Sequence, residues 1–88
     1  MASYKIILKP SVEKDLRSLP PSVLRRVFKR IEALEDDPRP RGSLKLAGAE
    51  QLYRIRVGDY RIVYTLDESS AQVVVYYVRH RRDVYRQF

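Results

Sequence analysis

The stretch that most constrains this 88-residue chain is Tyr53-Arg54-Ile55-Arg56-Val57-Gly58-Asp59-Tyr60-Arg61-Ile62-Val63-Tyr64. Gly58-Asp59 suits a two-residue hairpin turn, where glycine supplies the positive φ that other residues avoid. That turn dictates the pairing on either side of it: Val57 opposite Tyr60, Arg56 opposite Arg61, Ile55 opposite Ile62, Arg54 opposite Val63, Tyr53 opposite Tyr64. Side chains alternate along a strand, so the register also sorts the two faces. Tyr53, Ile55, Val57, Tyr60, Ile62, Tyr64 and Leu66 share the face that other elements bury. Leu52, Arg54, Arg56, Arg61, Val63 and Thr65 share the other. Arg56 directly across from Arg61 is a repulsion for which folding has no use, and Arg54 adds a guanidinium about 7 Å along its strand. An anion between these groups removes the repulsion and receives charge-assisted hydrogen bonds. The plain alternative is that the arginines splay into water.

The remaining elements arrange themselves around this hairpin. Tyr4 to Leu8 alternates like a strand and is ended by Pro10. Ser11 is the expected cap of a short helix carrying Val12, Leu16 and Leu19, which Pro20 and Pro21 break. From Ser22 to Asp36 the spacing of Val23, Leu24, Val27, Phe28, Ile31 and Leu34 predicts a longer helix. Arg25, Arg26, Lys29 and Arg30 fill its outer face, either as a solvated surface or as a contact for a polyanion. Arg39 to Glu50 reads as a loop, in which Leu44, Lys45 and Leu46 add a few ordered residues, with Leu44 and Leu46 tucked under the sheet edge. Leu52–Val57, Tyr60–Leu66 and Gln72–Arg79 then form an antiparallel meander. In the last of these, Val73, Val75 and Tyr77, followed by Arg79, are the expected core side, with Val74, Tyr76 and Val78 opposite. A strand this apolar on both sides belongs in a sheet interior. His80 to Phe88 is expected to add a final helical turn.

The order β-α-α-β-β-β defines an α+β fold: a helical hairpin packed on one face of a small, mainly antiparallel four-stranded sheet, the other face uncovered. Residues 1–88 make one domain. A chain this short hides only roughly 60 to 65% of its extended surface on folding, and at 44% apolar it has the means to do so.

Composition then narrows the function classes. With no cysteine there is neither a disulfide nor a thiolate metal site, and with His80 the only histidine a multi-histidine metal centre is excluded. Nothing approaches a membrane span or a signal peptide, so no membrane role is expected and the cytoplasm is the expected location. Eighteen Lys and Arg against eleven Asp and Glu give a formal +7, thirteen of the cations being arginine. Such a domain attracts a polyanion or an acidic protein, and the planar arginine fork suits phosphate.

The segment Arg79-His80-Arg81-Arg82-Asp83-Val84-Tyr85-Arg86 concentrates this chemistry. Tyr85 suits stacking on an unpaired base, unless it is an ordinary tyrosine at the sheet edge. His80 is the one side-chain type in the chain that ordinarily titrates near neutral pH, which makes it a proton-transfer candidate or a plain surface residue.

Together, Tyr53–Tyr64 and His80-Arg81-Arg82-Asp83-Val84-Tyr85 resemble the RelE/ParE superfamily, the toxins of bacterial and archaeal toxin–antitoxin pairs. The resemblance covers almost the whole chain, since that family also begins with a strand and a helical hairpin. It implies a RelE-like endoribonuclease that enters the ribosomal A site. Such an enzyme cuts messenger RNA by attack of the 2′-hydroxyl on its own phosphate, without metal or other cofactor, and so inhibits translation. In the matching positions Arg61 holds the scissile phosphate, Arg81 stabilises the leaving oxygen and Tyr85 orients the nucleotide. Arg79 and Arg82 lie beside them as further phosphate contacts. Arg54 and Arg56 stand where the best-known members have lysines, one of them proposed as the general base. Arginine has a pKa above about 12 and is a poor proton acceptor, so the base role is either vacant or passes to His80, while the arginines clamp the phosphate. A ribosomal target also gives Arg25, Arg26, Lys29 and Arg30 a use, as contacts to ribosomal RNA.

Two other readings stand beside this one: a ParE-like inhibitor of DNA gyrase that cuts no RNA, and a non-catalytic module that binds only antitoxin or RNA. Either toxin reading implies a cognate antitoxin with an acidic segment that wraps the domain.

Overall fold

The computed structural model describes residues 3–46 and 52–84. The chain runs β1 (Lys5–Leu8), α1 (Pro10–Arg17), α2 (Pro21–Ala33), β2 (Leu44–Lys45), β3 (Leu52–Val57), β4 (Tyr60–Asp67), β5 (Gln72–His80) and α3 (Arg81–Val84). Strand order in the sheet is β1-β5-β4-β3-β2. Among the described residues the sheet thus has five strands, which corrects the four expected from the sequence. The added strand is β2, where Leu44 pairs with Arg54 and Lys45 with Tyr53. The ordered residues expected at Leu44 to Leu46 thus include a strand, but two residues are too few to show a period, and only the pairing makes them part of the sheet. Leu44 is 51% exposed rather than tucked beneath the edge.

The β3–β4 hairpin has the register that its turn dictates, from Val57↔Tyr60 through Arg56↔Arg61 to Tyr53↔Tyr64, and Gly58 takes φ 59°. β5 lies in the interior, antiparallel to β4 and parallel to β1. Its face assignment, however, changes halfway. Tyr64 pairs with Val75 but Val63 pairs with Tyr77, leaving Tyr76 as an extra residue. This β-bulge reverses the alternation beyond it. Val78, expected on the open side, is buried in the core at 1% exposure. Tyr77 and Arg79, expected on the core side, pair instead with Val63 and Arg61 of the open face.

α1 explains how the bulge is held. β1 stops pairing at Leu8↔Val75, so the edge of β5 beyond that point lacks a strand. Lys9 donates its N–H to the Val75 carbonyl at 3.0 Å, Ser11 Oγ donates to the Tyr76 carbonyl at 2.8 Å, and the Asp15 carboxylate accepts the Val78 N–H at 3.1 Å. Ser11 and Asp15 are four residues apart and share a helix face. Together they satisfy an edge that would otherwise stay open. Ser11 is therefore not the expected cap. The helix begins at Pro10, where a fixed φ and a missing N–H do no harm.

Val12 and Leu16 of α1, Leu19 after it, and Val27 and Ile31 of α2 pack with Leu34 onto Ile55, Val57, Ile62, Tyr64, Leu66, Val73, Val75 and Val78. α2 ends at Ala33 rather than Asp36, and Phe28, expected in its apolar stripe, is 42% exposed. Tyr64 is enclosed completely. Its hydroxyl donates to the Pro38 carbonyl at 2.7 Å, its ring stacks on Tyr53 at 5.8 Å, and burial pushes the phenol up to about 12. Among the described residues no helix is long and apolar enough to cross a membrane.

Candidate nucleic-acid interface

The strand registers place the open-face residues in rows. Arg56, Arg61 and Arg79 stand abreast on β3, β4 and β5; Arg54, Val63 and Tyr77 form the next row, and Leu52, Thr65 and Val74 the one after. Adjacent strands lie about 4.8 Å apart, so the first row puts three cationic side chains side by side. The bulge in β5 supplies the third of them.

The three arginines are not equivalent. Arg56 is exposed, whereas Arg61 retains only 6% of its surface. The Arg61 guanidinium folds back onto the turn, where Nη1 donates to the Gly58 carbonyl at 3.1 Å and the Tyr60 carbonyl at 3.0 Å. Its Nε is buried and has no hydrogen-bond acceptor among the described residues. A buried donor left unmatched costs about 1–3 kcal/mol. Arg79 stacks over the Tyr77 ring at 4.3 Å, and its Nε lies 3.5 Å from Asp15 Oδ2. Asp15 thus orients one cation of the row while holding the bulged edge of β5. Sequence reasoning missed Asp15 because nothing local ties it to a strand 63 residues away.

Arg81 lies at the end of the sheet beyond this row. Its N–H donates to the Asp59 carbonyl at 2.8 Å, and its exposed side chain brings Nε within 4.0 Å of Asp59 Oδ1. Asp59 therefore positions Arg81 beside the turn that holds Arg61. His80 pairs with Tyr60, one row further out and on the helix side, with its ring edge-on to Tyr60 at 5.5 Å. The His80 Nδ1 accepts the Arg82 N–H at 3.3 Å, which leaves Nε2 for other work. Arg82 itself is exposed. Tyr85 lies outside the described residues. Among the described residues no group of three or more His, Asp or Glu side chains is arranged to hold a metal.

The four basic residues of α2 divide between two concavities. Arg26, Lys29 and Arg30 join Arg56, Val57 and Gly58 around a space of about 220 Å³ between the helix and the hairpin turn. Arg25, with Ser22, Arg26 and Lys29, flanks the exposed Phe28 in a shallower one of about 570 Å³. Helical spacing puts Arg26, Lys29 and Arg30 on one stripe, but only the tertiary structure sets that stripe against Arg56.

A basic sheet face backed by a helical hairpin, with arginines clustered at one hairpin turn, describes a class of small toxins. Residues 6–85 match the family described as the ParE toxin of type II toxin–antitoxin systems, parDE, and the chain belongs to this RelE/ParE superfamily, in its RelE-like branch. It is 32% identical over 88 residues to the toxin RelG of Mycobacterium tuberculosis, covering 96% of this chain and 98% of that one. Among solved structures, the archaeal RelE–RelB complex from Pyrococcus horikoshii superposes with a TM-score of 0.81 at 32% identity, over 90% of this chain and 96% of that one. The RelBE2 toxin–antitoxin complex of Mycobacterium tuberculosis superposes at 0.77 with 29% identity, over 90% and 99% of the two chains.

Proposed function

We propose that this toxin is a ribosome-dependent endoribonuclease that cuts messenger RNA in the A site and so inhibits translation. The observation that carries this reading is the Arg56–Arg61–Arg79 row, closed at its end by Arg81, with a buried and partly unmatched guanidinium at its centre. In the reaction the 2′-oxygen bonds to the neighbouring phosphorus and the bond from phosphorus to the 5′-oxygen breaks. The products are a 2′,3′-cyclic phosphate and a 5′-hydroxyl. The five-coordinate phosphate formed on the way carries extra negative charge, which preorganised cations stabilise. Arg61 holds that phosphate, Arg54, Arg56 and Arg79 share its charge, Arg81 meets the leaving oxygen, and Arg82 binds the backbone beyond it. Tyr85 stacks on the nucleotide. His80 takes the 2′-hydroxyl proton on Nε2, and the leaving 5′-oxygen, stabilised by Arg81, takes a proton from water. Because His80 lies on the helix side of the terminal row, this role requires the nucleotide to lie across the end of the sheet.

Arg25, Arg26, Lys29 and Arg30 dock on ribosomal RNA backbone, the sequence-independent part of such recognition. The Pyrococcus horikoshii relative was solved with RelB. By extension this chain has a cognate antitoxin, whose acidic segment covers the arginine face and whose binding weakens as salt rises.

The test adds purified protein to translating ribosomes, maps the messenger ends and repeats the assay on naked RNA. Cyclic or 3′-phosphate ends made only on the ribosome are expected, with a pH profile between 6 and 8 that changes in His80→Gln. An unchanged profile removes His80 from the mechanism. The match to ParE toxins supports a second reading, a gyrase inhibitor. Intact messenger together with blocked DNA supercoiling favours it and sinks the nuclease.

A further inference from the structure

We propose that the concavity between α2 and the β3–β4 turn is a docking site for one phosphodiester group of an RNA strand, separate from the open-face clamp. Its lining is Arg26, Lys29, Arg30, Arg56, Val57 and Gly58, which is four cations and no carboxylate. Among the described residues, none of the four lies within ion-pair distance of an Asp or Glu. Like charges three and four residues apart on a helix destabilise it by about 0.2–0.5 kcal/mol per pair. Arg26 makes such a pair with both Lys29 and Arg30, and folding gains nothing from the arrangement.

The geometry supplies what composition alone does not. The Arg26 guanidinium rests on the hairpin turn, with Nη1 and Nη2 at 3.5 and 3.6 Å from where a β-carbon on Gly58 would stand. A β-carbon there would meet the guanidinium at ordinary contact distance, so Arg26 brings the helix wall up to the turn whatever the residue, and the glycine serves the positive φ of the hairpin. The space of about 220 Å³ corresponds to about seven waters at about 30 Å³ each. It suits a phosphate group with part of its hydration. Three arginine forks and an ammonium around so small a space match the tetrahedral oxygens of a phosphate. A phosphodiester presents two charged non-bridging oxygens that project tetrahedrally from phosphorus, whereas the two oxygens of a carboxylate lie in one plane with its carbon.

Arg56 also connects this site to the first. It lines the concavity and stands opposite Arg61 in the sheet. The site extends the RNA docking proposed above for α2, but its test needs neither a ribosome nor cleavage. The nuclease reading and this one can therefore fail separately.

The experiment measures binding of the full chain to a labelled single-stranded RNA, to duplex DNA and to polyglutamate over a range of salt. Arg26→Gln/Arg30→Gln is compared with Lys14→Gln/Arg17→Gln, a pair on α1 that removes the same charge from exposed positions away from the concavity. Loss of one phosphate contact flattens the dependence of log K on log salt by about 0.7 for single strands. That change is expected in the α2 variant alone, regardless of RNA sequence, with partial recovery in Arg26→Lys. An equal change in the α1 variant reduces the effect to net charge and overturns the proposal. So does an unchanged RNA slope, or a loss confined to polyglutamate or to DNA. Thermal unfolding of both variants, with midpoints like that of the parent, shows that folding is not the cause.

Discussion

Arg61 and Ile62 are consecutive in β4 and point to opposite sides of the sheet. Ile62 has no exposed surface and packs with side chains from both helices. Arg61 is nearly as buried, yet it stands between Arg56 and Arg79, tied to the turn backbone, with Nε unmatched. One face follows the ordinary rule that apolar groups gather away from water. The other places like charges in a row and buries a cation. When a fold carries such an arrangement on one face only, the stability given up there points to binding or chemistry.

The largest expected effects test this contrast at the adjacent pair. Ile62→Ala should destabilise the fold by about 2–5 kcal/mol in urea unfolding while leaving cleavage per folded molecule unchanged. Arg61→Ala should lower ribosome-dependent cleavage by about 10²–10³-fold, as expected for loss of a preorganised donor, and leave unfolding within about 1 kcal/mol of the parent. If Arg61→Ala unfolds the protein as readily as Ile62→Ala does, the open face is structural and the contrast collapses.

Tyr64 tests the covered face more finely. Tyr64→Phe removes the hydroxyl that donates to Pro38 and should cost about 1 kcal/mol. Burial raises the Tyr64 phenol to about 12, above its unfolded value of about 10. The unfolded chain therefore releases this proton first as pH rises. The associated stability is fully present below pH about 10 and is lost as pH climbs towards about 12. Unfolding midpoints over that range should fall less steeply in Tyr64→Phe than in the parent.

The smallest effect has the opposite sign. Arg56→Gln removes a like charge facing Arg61 and should stabilise the fold by about 0.2–1 kcal/mol, a gain that shrinks as salt is added. Calorimetry at low and high salt reads it. No gain at low salt means that the two side chains already avoid each other.

Much of this contrast is legible in the sequence. The turn residues Gly58 and Asp59 and the period of two assigned Arg54, Arg56 and Arg61 to one face and Ile55 and Ile62 to the other, and each lies as expected. β5 was harder. Its alternation is broken at Tyr76-Tyr77, and a strict period put Arg79 on the core side and Val78 outside. An arginine directed into an apolar core was itself a sign of a bulge, readable from the chain but outweighed by the regular pattern. β2 was too short to read, and Phe28 gave no local sign that it would stay exposed.

Turn chemistry and side-chain alternation act between near neighbours, so the sequence by itself determined the hairpin register, the order of the two helices and of β1, β3, β4 and β5, and the arginine face on β3 and β4. The tertiary structure alone decided the rest. Asp15 and Ser11 hold the edge of β5 from more than 60 residues away, and the bulge there turns Arg79 towards Arg61. α2 sets Arg26, Lys29 and Arg30 against Arg56 and Gly58. Each of these arrangements depends on hydrogen bonds or packing between distant segments, whose partners are chosen only when the chain closes on itself.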